Sequence, residues 1–343
     1  MSFSGVSYAA VVPAAPEPFP GDVALVVVAY DSDRDVVALL RRLRPHTAVV
    51  VDTGNDPGAT ASAVSGLAEY VDAGDNIGFA RAANLGARHV LERYVLFCNP
   101  DAEPTALDVA SLRSTLLADP RRAAVAPAVL DARGKARGGG GRRPSPRSAL
   151  CTLLGPLASP AARIWLVSER ARIYETEWLS GACLLIRADV FRHVGGFDER
   201  YPLYNEDMAL GGRISRAGWR QALDGRVRVQ HHSGGSARQA SEQLWRWRGG
   251  ALGHYVLSEA PAPRLTWAIL LMSFALRAVA MRVTGRGDPA GWREWVCNAE
   301  GLWRAELPVL PLRAPHSVAG GRSRTTVACL TAPSSRGTQT EAS

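Results

Sequence analysis

The sequence is poor in the residues that define several common protein classes. Its 343 residues include a single lysine, Lys135, and only five cysteines, which are scattered along the chain. It shows no Cys/His spacing typical of a zinc site and no nucleic-acid-binding motif, so we expect no nucleic acid among its partners. The cysteines lie in apolar surroundings, which predicts reduced core side chains rather than a disulfide framework.

Long apolar segments are lacking as well. The N-terminus shows no basic stretch followed by an apolar run, so no secretory signal is expected. The longest apolar run, Leu265 to Ala280, is interrupted by Arg277 and is too short to span a bilayer comfortably. We therefore predict no transmembrane helix and a cytoplasmic location.

The chain does contain an ordinary amount of apolar material and an excess of positive charge. Hydrophobic residues make up 47% and charged residues 21%, values typical of a globular protein with a sizeable core. The formal net charge is +8. Such a charge favours anionic partners, for example a diphosphate substrate or an anionic membrane surface.

Composition divides the chain into four segments. Residues 1–21, rich in Ala, Pro and Ser, and residues 313–343, rich in Ser, Thr and Gly, are predicted to be disordered. Residues 22–240 alternate apolar runs with amphipathic stretches, which predicts an α/β domain with a mostly parallel sheet flanked by helices. Residues 241–312 predict a helical extension. Within the α/β domain, residues 131–147 include four consecutive glycines and are interpreted as a flexible linker rather than a lid.

Three acidic residues follow successive predicted strands. Asp31 comes after the first strand, Asp52 after the second, and Asp101 just after the strand that ends at Cys98. A single such residue is more often a turn or capping residue. Ligands of open α/β sheets bind beyond the carboxyl ends of the strands, so three together predict a binding site there.

A pair of carboxylates, Glu206 and Asp207, follows a glycine-rich turn in the second half of the α/β domain. Attack by an alcohol on an anomeric carbon needs a carboxylate to accept the hydroxyl proton. We assign Asp207 as this general base, with Glu206 orienting it or the acceptor. The alternative is a pair that caps the following helix.

Four ordered motifs between Val23 and Ser236 resemble the inverting family 2 glycosyltransferases of the GT-A fold. The motifs are Val28-Ala-Tyr-Asp31 with Asp52-Thr-Gly-Asn55, then Asp75-Asn-Ile-Gly-Phe with Asn84-Leu-Gly86, then Asn99-Pro-Asp101, and Gly195-Gly-Phe-Asp198 with Tyr204-Asn-Glu-Asp207. The chain departs from the common pattern at Asp31, at Thr53, at Asn55, where the family usually has Ser, and at Ala209, where it usually has a second Asp. Within the family it looks most like the bacterial rhamnosyltransferase-like branch that builds cell-surface glycans.

The resemblance implies a role for each matching residue. Residues on the donor-nucleotide side are Tyr30, Asp31, Asp52, Asn76, Gly78, Arg81, Asn84 and Asn99. Residues on the acceptor side are Trp178, Gly181 and Asp198. A divalent cation, Mg²⁺ or Mn²⁺, needs a hard oxygen ligand at the diphosphate, which Asp101 can supply. The second protein ligand is His231 or His232, and spacing to Ser236 favours His231.

These assignments predict transfer of a sugar, with inversion, from a nucleoside diphosphate donor such as dTDP-rhamnose. The implied acceptor is a lipid-linked or cell-surface glycan. A catalytically weak or inactive GT-A scaffold is one alternative, because of Ala209, Asp31 and Thr53, and a nucleotidyltransferase is another.

Tryptophan and arginine are concentrated in residues 241–312. They suit peripheral attachment to the inner face of the plasma membrane, or else a helical cap on the catalytic domain.

Overall fold

A computed structural model describes residues 18–168, 170–232, 242–284 and 291–312. The predicted disordered tail, 313–343, lies outside these ranges, as do residues 1–17 of the predicted disordered N-terminus. Phe19, which falls in that N-terminal prediction, is instead 3% exposed and packs into the core beside the first strand. The prediction of disorder up to residue 21 is therefore wrong for Phe19.

The described part of the chain alternates strands and helices. The strands are β1 (Val23–Ala29), β2 (Thr47–Asp52), β3 (Glu69–Asp72), β4 (Tyr94–Cys98), β5 (Arg122–Leu130), β6 (Gly140–Gly141), β7 (Ile173–Thr176), β8 (Trp178–Leu179), β9 (Cys183–Arg187) and β10 (Arg220–Gln230). The helices are α1 (Asp33–Leu43), α2 (Pro57–Val64), α3 (Phe79–Ala87), α4 (Ala106–Leu117), α5 (Pro146–Leu154), α6 (Ala188–His193), α7 (Glu206–Arg216), α8 (Glu242–Glu259), α9 (Pro263–Thr284) and α10 (Gly291–Arg304).

The main sheet has the strand order β3-β2-β1-β4-β9-β5-β10-β7 in the described residues. Strands β1, β2, β3 and β4 are parallel, and β5 and β10 are parallel to each other. Strand β9 is antiparallel to both β4 and β5, and β7 is antiparallel to β10 at the edge. The predicted mostly parallel sheet flanked by helices is confirmed.

Helices cover both faces of this sheet because its strands are apolar on both sides. In β1, Ala24 and Val26 face a core shared with α3, α6 and α7. Leu25 and Val27 face the opposite core, shared with α1 and α4. This alternation follows from the two-residue period of a strand. The carboxyl ends of β1, β2 and β4 consequently open at one edge, where the predicted donor-side residues lie.

The predicted flexible linker over residues 131–147 is wrong. Gly140 and Gly141 form β6, which pairs with β8, and helix α5 begins at Pro146. A Cβ on Gly141 would lie 2.0 Å from the backbone oxygen of Ile164, and a Cβ on Gly140 would lie 2.7 Å from that of Trp178. The glycines are thus needed for close backbone packing, since any side chain would displace the neighbouring strand or loop.

The helical extension packs against the α/β domain and shares a core with it. Leu252 and Tyr255 of α8 and Phe274 of α9 lie in one apolar cluster with Trp178 and Met208. The described residues all belong to a single compact unit. The helical cap considered from the sequence is therefore present, and it reaches the helix that carries the acidic pair.

Helix α9 is longer than the sequence-based limit of Leu265 to Ala280. Its 22 residues, Pro263–Thr284, have a mean hydropathy of 1.5 over their most apolar window, 28% of which is buried. Among the described residues, α9 is long and apolar enough to cross a membrane, judged by length and composition only. That is weak evidence by itself, and it corrects the argument that the segment is too short.

The cysteine prediction agrees with the structure where it can be compared. Cys98, Cys183 and Cys297 are buried thiols, Cys151 is half-buried, and none of these four forms a disulfide. Cys329 lies outside the described residues.

Candidate active site

The predicted acidic pair lies at the start of α7, behind a strained turn. Tyr204 and Asn205 both have left-handed backbone conformations, with φ angles of 67° and 66°. A non-glycine residue in this region costs about 1–3 kcal/mol, and such strain concentrates at functional sites. Glu206 and Asp207 then occupy the first helical turn, where the helix dipole stabilises negative charge.

The two carboxyl groups are removed from water, which changes their acidity. Burial, opposed in part by backbone N–H donors, raises the pKa of Asp207 to about 6. Burial and the neighbouring Asp207 charge raise the pKa of Glu206 well above its usual range. The Oε2 atom of Glu206 is buried without a hydrogen-bond partner among the described residues. Of the two carboxyl groups, Glu206 is thus the one that has the buried, unpaired oxygen and that the neighbouring Asp207 charge makes less acidic.

Backbone N–H groups hold the Asp207 carboxylate in place. Its Oδ1 accepts a hydrogen bond of 2.7 Å from the Met208 N–H, and the Gly181 N–H also donates to the carboxylate. The next carbonyl along the chain, that of Ala182, accepts a 2.9 Å bond from the Asn99 N–H. The segment from Gly181 to Ala182 therefore joins the predicted base to the Asn99-Pro-Asp101 motif.

The structure brings Asn99, Asp101 and His231 together. The Nε2 atom of His231 lies 3.0 Å from Oδ1 of Asp101 and 3.2 Å from Nδ2 of Asn99. His232 instead lies 3.1 Å from the Glu103 carboxylate. Of the two histidines that the sequence left open, His231 is thus the one beside Asp101.

This donor set suits a divalent cation. A single Nε2 atom must offer a proton to the Asp101 carboxylate and a lone pair to the Asn99 amide N–H, and it cannot do both. The Asp101 carboxylate and the His231 imidazole are both lone-pair donors of a kind that divalent cations accept, so the two together could hold a cation. The described residues contain no cluster of three or more His, Cys, Asp or Glu side chains. Further ligands would have to come from phosphate oxygens and water.

A second polar cluster joins the ends of β1 and β2. Asp31, whose φ is 48°, accepts two 2.7 Å hydrogen bonds from Asn55, one from its backbone N–H and one from its side chain. Asp52 is fully buried and accepts bonds from the Gly54 N–H (2.8 Å) and the Tyr70 hydroxyl (3.2 Å). A Cβ on Gly54 would lie 2.7 Å from Asp31, so the loop requires glycine at this position.

Asn55 is the residue in this cluster that the sequence interpretation missed. It was noted only as a departure from the family pattern. Its double bond to Asp31 shows that the two departures, Asp31 and Asn55, compensate for each other: the new carboxylate accepts the two N–H groups that Asn55 supplies. Tyr30 is the neighbour of Asp31. Its backbone N–H donates a 3.3 Å hydrogen bond to the Ser32 hydroxyl, and its side chain is half-buried.

The start of α3 is occupied by protein rather than open to a phosphate. The Phe79 N–H donates to the Pro202 carbonyl at 2.7 Å, and the Gly78 N–H to the Asn76 side chain at 3.3 Å. A Cβ on Gly78 would lie 2.5 Å from the Pro202 oxygen. The Phe79 N–H is thus taken by the turn before the acidic pair and the Gly78 N–H by the Asn76 side chain, so these two N–H groups are not offered to a phosphate at the predicted Gly78 and Asn76 site.

Two further donor-side predictions also find structural partners. Asn84 accepts from the Phe197 N–H at 2.8 Å and donates to the Phe197 carbonyl at 2.9 Å, so it fixes the Gly195–Phe197 turn. Arg81 lies 3.5 Å from Glu199. Both residues therefore contact the turn that precedes the acidic pair rather than the ends of β1 and β2.

On the predicted acceptor side, only Gly181 contacts the acidic pair directly. Trp178 is 4% exposed, and its indole N–H donates to the Ile164 carbonyl at 2.9 Å, so it is a core residue. Burial alone would raise the pKa of Asp198, but hydrogen bonds from Arg200 hold it below its usual value. Asp198 is thereby committed to an ion pair, with an O···N distance of 2.8 Å.

Ala209 has a clear structural setting. It is buried in the apolar cluster formed with Tyr255 and Leu252 of the helical extension. The Tyr255 hydroxyl lies 3.4 Å from the Met208 carbonyl of the same helical turn. A carboxylate at position 209 would be placed against these apolar groups without water, so the absence of the usual Asp accompanies the packing of α8 on α7.

Comparison with known proteins agrees with this arrangement. Residues 9–250 match the family model described as "Glycosyltransferase like family 2". The chain belongs to this glycosyltransferase family. It is therefore an enzyme of the transferase class with a GT-A fold, and the nucleotidyltransferase alternative has no support.

Two curated relatives of this glycosyltransferase share 26–30% sequence identity with it. It is 30% identical over 210 residues, covering 55% of the chain and 67% of the relative, to an N-acetylglucosaminyl-diphospho-decaprenol L-rhamnosyltransferase of Mycobacterium tuberculosis. It is 26% identical over 200 residues, 57% of the chain and 62% of the relative, to a low-salt glycan biosynthesis hexosyltransferase of Haloferax volcanii.

Among solved structures, the fold is similar to that of a mannosyltransferase from Pyrobaculum calidifontis in complex with GDP-Man and Mn²⁺. The TM-score is 0.52, the sequence identity is 18%, and the match covers 85% of this chain and 88% of the other. At this identity the similarity concerns the fold alone.

Proposed function

We propose that this glycosyltransferase moves a sugar, with inversion, from a nucleoside diphosphate donor to a hydroxyl of a lipid-linked or cell-surface glycan. The observation that carries the proposal is the hydrogen-bonded connection between Asp207 and the Asn99, Asp101 and His231 cluster through Gly181 and Ala182. A base and a cation site that share one backbone segment can act on the two sides of one anomeric carbon. dTDP-rhamnose is the first donor to test, since the relative from M. tuberculosis is named as a rhamnosyltransferase.

In this mechanism Asp207 receives the proton of the acceptor hydroxyl as its oxygen attacks the anomeric carbon. Attack occurs opposite the leaving diphosphate, so the configuration inverts. Glu206, whose pKa is raised by burial and by the neighbouring Asp207 charge, orients the acceptor or the base. Asp101 and His231 would hold Mg²⁺ or Mn²⁺, which would neutralise the charge that develops on the diphosphate.

The proposal is tested by a transfer assay with dTDP-rhamnose, GDP-mannose and UDP-galactose. The acceptor is an N-acetylglucosaminyl diphosphate carrying a polyprenyl chain. We expect transfer from one donor, loss of transfer when EDTA is added, and a product of inverted anomeric configuration by NMR. Transfer with retention would contradict the assigned base, and absence of transfer from every donor would favour the inactive-scaffold alternative.

The dependence of the rate on pH follows from the raised pKa of Asp207. A general base works as its carboxylate, so kcat should be high above pH 6 and fall about tenfold per pH unit below it. An ordinary aspartate would keep its activity down to about pH 4. Cation binding also weakens in acid because its protein ligands must be deprotonated, so kcat is measured with the donor and Mn²⁺ held at saturation at each pH. A kcat that stays flat down to pH 4.5 would exclude Asp207 as the base.

We also propose that the helical extension lies on an anionic membrane surface, where a lipid-linked acceptor would be presented. Trp303 of the extension is exposed, whereas Trp267 is half-buried and donates its indole N–H to the Leu302 carbonyl. The support is an apolar stripe on one face of α9. Its exposed members are Leu265, Met272, Leu276, Val279 and Val283.

The stripe has the spacing and surroundings of an interfacial helix. Its members are three, four or seven residues apart, so they share one face of the helix. Helix α5 packs beside α9 and adds the exposed Leu150 and Leu154. Exposed arginines, Arg264 and Arg282, stand near the two ends of α9. An apolar face flanked by positive charge is the pattern that binds anionic bilayers.

A further inference from the structure

A cavity of about 190 Å³ lies where α5, α9 and α10 meet, away from the Asp101 and His231 cluster. This is far more than the roughly 10–15 Å³ that one water needs. Two arginines, Arg163 and Arg277, line it together with the aromatic side chains of Trp165, Phe274 and Trp295. The combination of two guanidinium groups and aromatic walls is unusual for a structural void, which is normally apolar throughout.

The two arginines lack carboxylate partners. In the part of the chain that the structure describes, neither makes an ion pair within 4.0 Å of an acidic side chain. Arg277 donates to the Thr152 carbonyl and to Ser273, and Arg163 donates one Nη2 bond of 2.5 Å to the Ala158 carbonyl. The Nε atom of Arg163 is buried and has no acceptor among the described residues.

Such a pair is electrostatically unfavourable without an anion. Burial and then the charge of Arg163 lower the pKa of Arg277, which means that the Arg277 guanidinium is held where its charge is destabilised. Backbone carbonyls at the end of α5 offset part of this cost. An anion between the two groups would satisfy the Arg163 Nε and cancel the repulsion.

The cavity stands at the edge of the apolar stripe. Leu276 of the stripe directly precedes Arg277, and Leu154 of α5 directly precedes Gly155, which lines the cavity. An amphiphile whose chains lie on the stripe would therefore carry its head group to the arginine pair.

We propose that the arginine pair binds the phosphate group of a membrane lipid whose apolar chains lie on the stripe. Guanidinium forks match the oxygens of a phosphate and bind them in a bidentate manner, whereas a carboxylate offers fewer oxygens and less charge. The inference rests on the membrane contact proposed above, and it is independent of catalysis by Asp207.

The cavity is also connected to the active site. Ile164 follows Arg163, and its carbonyl accepts the Trp178 indole N–H, three residues before Gly181. A phosphate of a lipid-linked acceptor bound at Arg163 would thus stand on the segment that leads to the base. The same chemistry is offered by an abundant phospholipid, so the test must separate the two sources.

The test is co-sedimentation of the full chain with vesicles. Four vesicle compositions are compared: phosphatidylcholine alone, and phosphatidylcholine with phosphatidylglycerol, with polyprenyl phosphate or with oleate at equal surface charge. We expect both phosphate lipids to bind the protein at least about fivefold more tightly than oleate does. Stronger binding of polyprenyl phosphate would identify the acceptor's own carrier, and equal binding would identify bulk phospholipid. Equal binding of oleate would overturn the phosphate site.

Variants separate the cavity from the surface. Arg163→Gln should lower the preference for phosphate lipids about fivefold, the scale of one basic residue near an anionic surface. Arg282→Gln, on an exposed arginine of α9 outside the cavity, should change it less than twofold. Leu276→Glu should abolish binding to every vesicle. Its matched control is Leu107→Glu on α4, a helical leucine that is 58% exposed against 53% for Leu276.

The outcomes distinguish the two proposals. Full retention of the phosphate preference by Arg163→Gln overturns the cavity site alone, whereas competition by soluble inorganic phosphate beyond that of sodium chloride at equal ionic strength supports it. Failure of the wild-type protein to bind any vesicle overturns the membrane contact and the cavity site together, while leaving sugar transfer to be decided by its own assay. If Arg163→Gln does not fold, the lipid comparison on the wild-type protein still decides.

Discussion

Replacing Asp207 by asparagine should lower kcat by about 10²-fold or more, while the affinity for the nucleotide sugar changes little. Loss of a general base typically removes 10²–10⁴-fold of the rate. In the proposed mechanism the donor is bound by residues at the ends of β1, β2 and β4 and not through the acceptor proton, so the loss should appear in kcat alone. The measurement is the transfer rate and the donor Kd, side by side, for the two proteins.

A matched control is available on α6. Asp189 accepts a 2.8 Å hydrogen bond from the Val190 N–H, as Asp207 accepts 2.7 Å from Met208. Both residues thus make the same bond in the first turn of a helix, but Asp189 is exposed and belongs to a different helix. Asp189→Asn should leave kcat unchanged. Wild-type transfer rates in Asp207→Asn would show that another group accepts the proton.

Replacing Asp101 by asparagine should weaken cation-dependent binding of the donor by at least about 10²-fold. Loss of a group that merely supports a metal ligand costs 10–100-fold, and Asp101 is the only carboxylate in its motif. The replacement keeps the size of the side chain but removes the negative charge beside His231. Calorimetric titration with dTDP-rhamnose and UDP-sugars, with and without Mn²⁺, gives the comparison.

The neighbouring pair of His232 and Glu103 supplies the control for this experiment. Its N···O distance, 3.1 Å, is close to the 3.0 Å of His231 and Asp101. Glu103→Gln removes the same kind of ion pair two residues away and should leave Mn²⁺-dependent affinity within about twofold. Equal losses in the two variants would mean that the charge of the whole edge matters, and that Asp101 has no special role.

The sequence allowed the sheet and the order of motifs to be predicted because both depend on local patterns. Continuous apolar strands such as β1 and β4 have almost no other place than the centre of a parallel sheet. Asp101 and His231, 130 positions apart, could be paired only through the resemblance to a family. Their 3.0 Å contact agrees with that pairing.

The errors have a common physical origin, which is that the glycine, asparagine and tryptophan residues serve long-range packing. Four glycines in a row indicate flexibility only when no neighbour fills the space, and Ile164 and Trp178 fill it here. Asn84 and Trp178 are family-pattern residues whose polar atoms turn out to bond the backbone of distant segments. The hydrogen-bond partner of a polar side chain cannot be predicted from the sequence when that partner lies in a distant segment.

The packing of Tyr255 on Met208 and Ala209 also decides how this enzyme can be divided. A fragment ending at residue 240 would retain every motif of the family, yet it would expose the apolar cluster under the helix that carries the base. The helical extension is therefore part of the smallest unit in which α7, the helix that carries Asp207, keeps its apolar packing. Exchanging acceptor specificity between relatives by swapping segments would require α7 and α8 to be moved as a pair, with the residue at position 209 chosen to suit the helix that covers it.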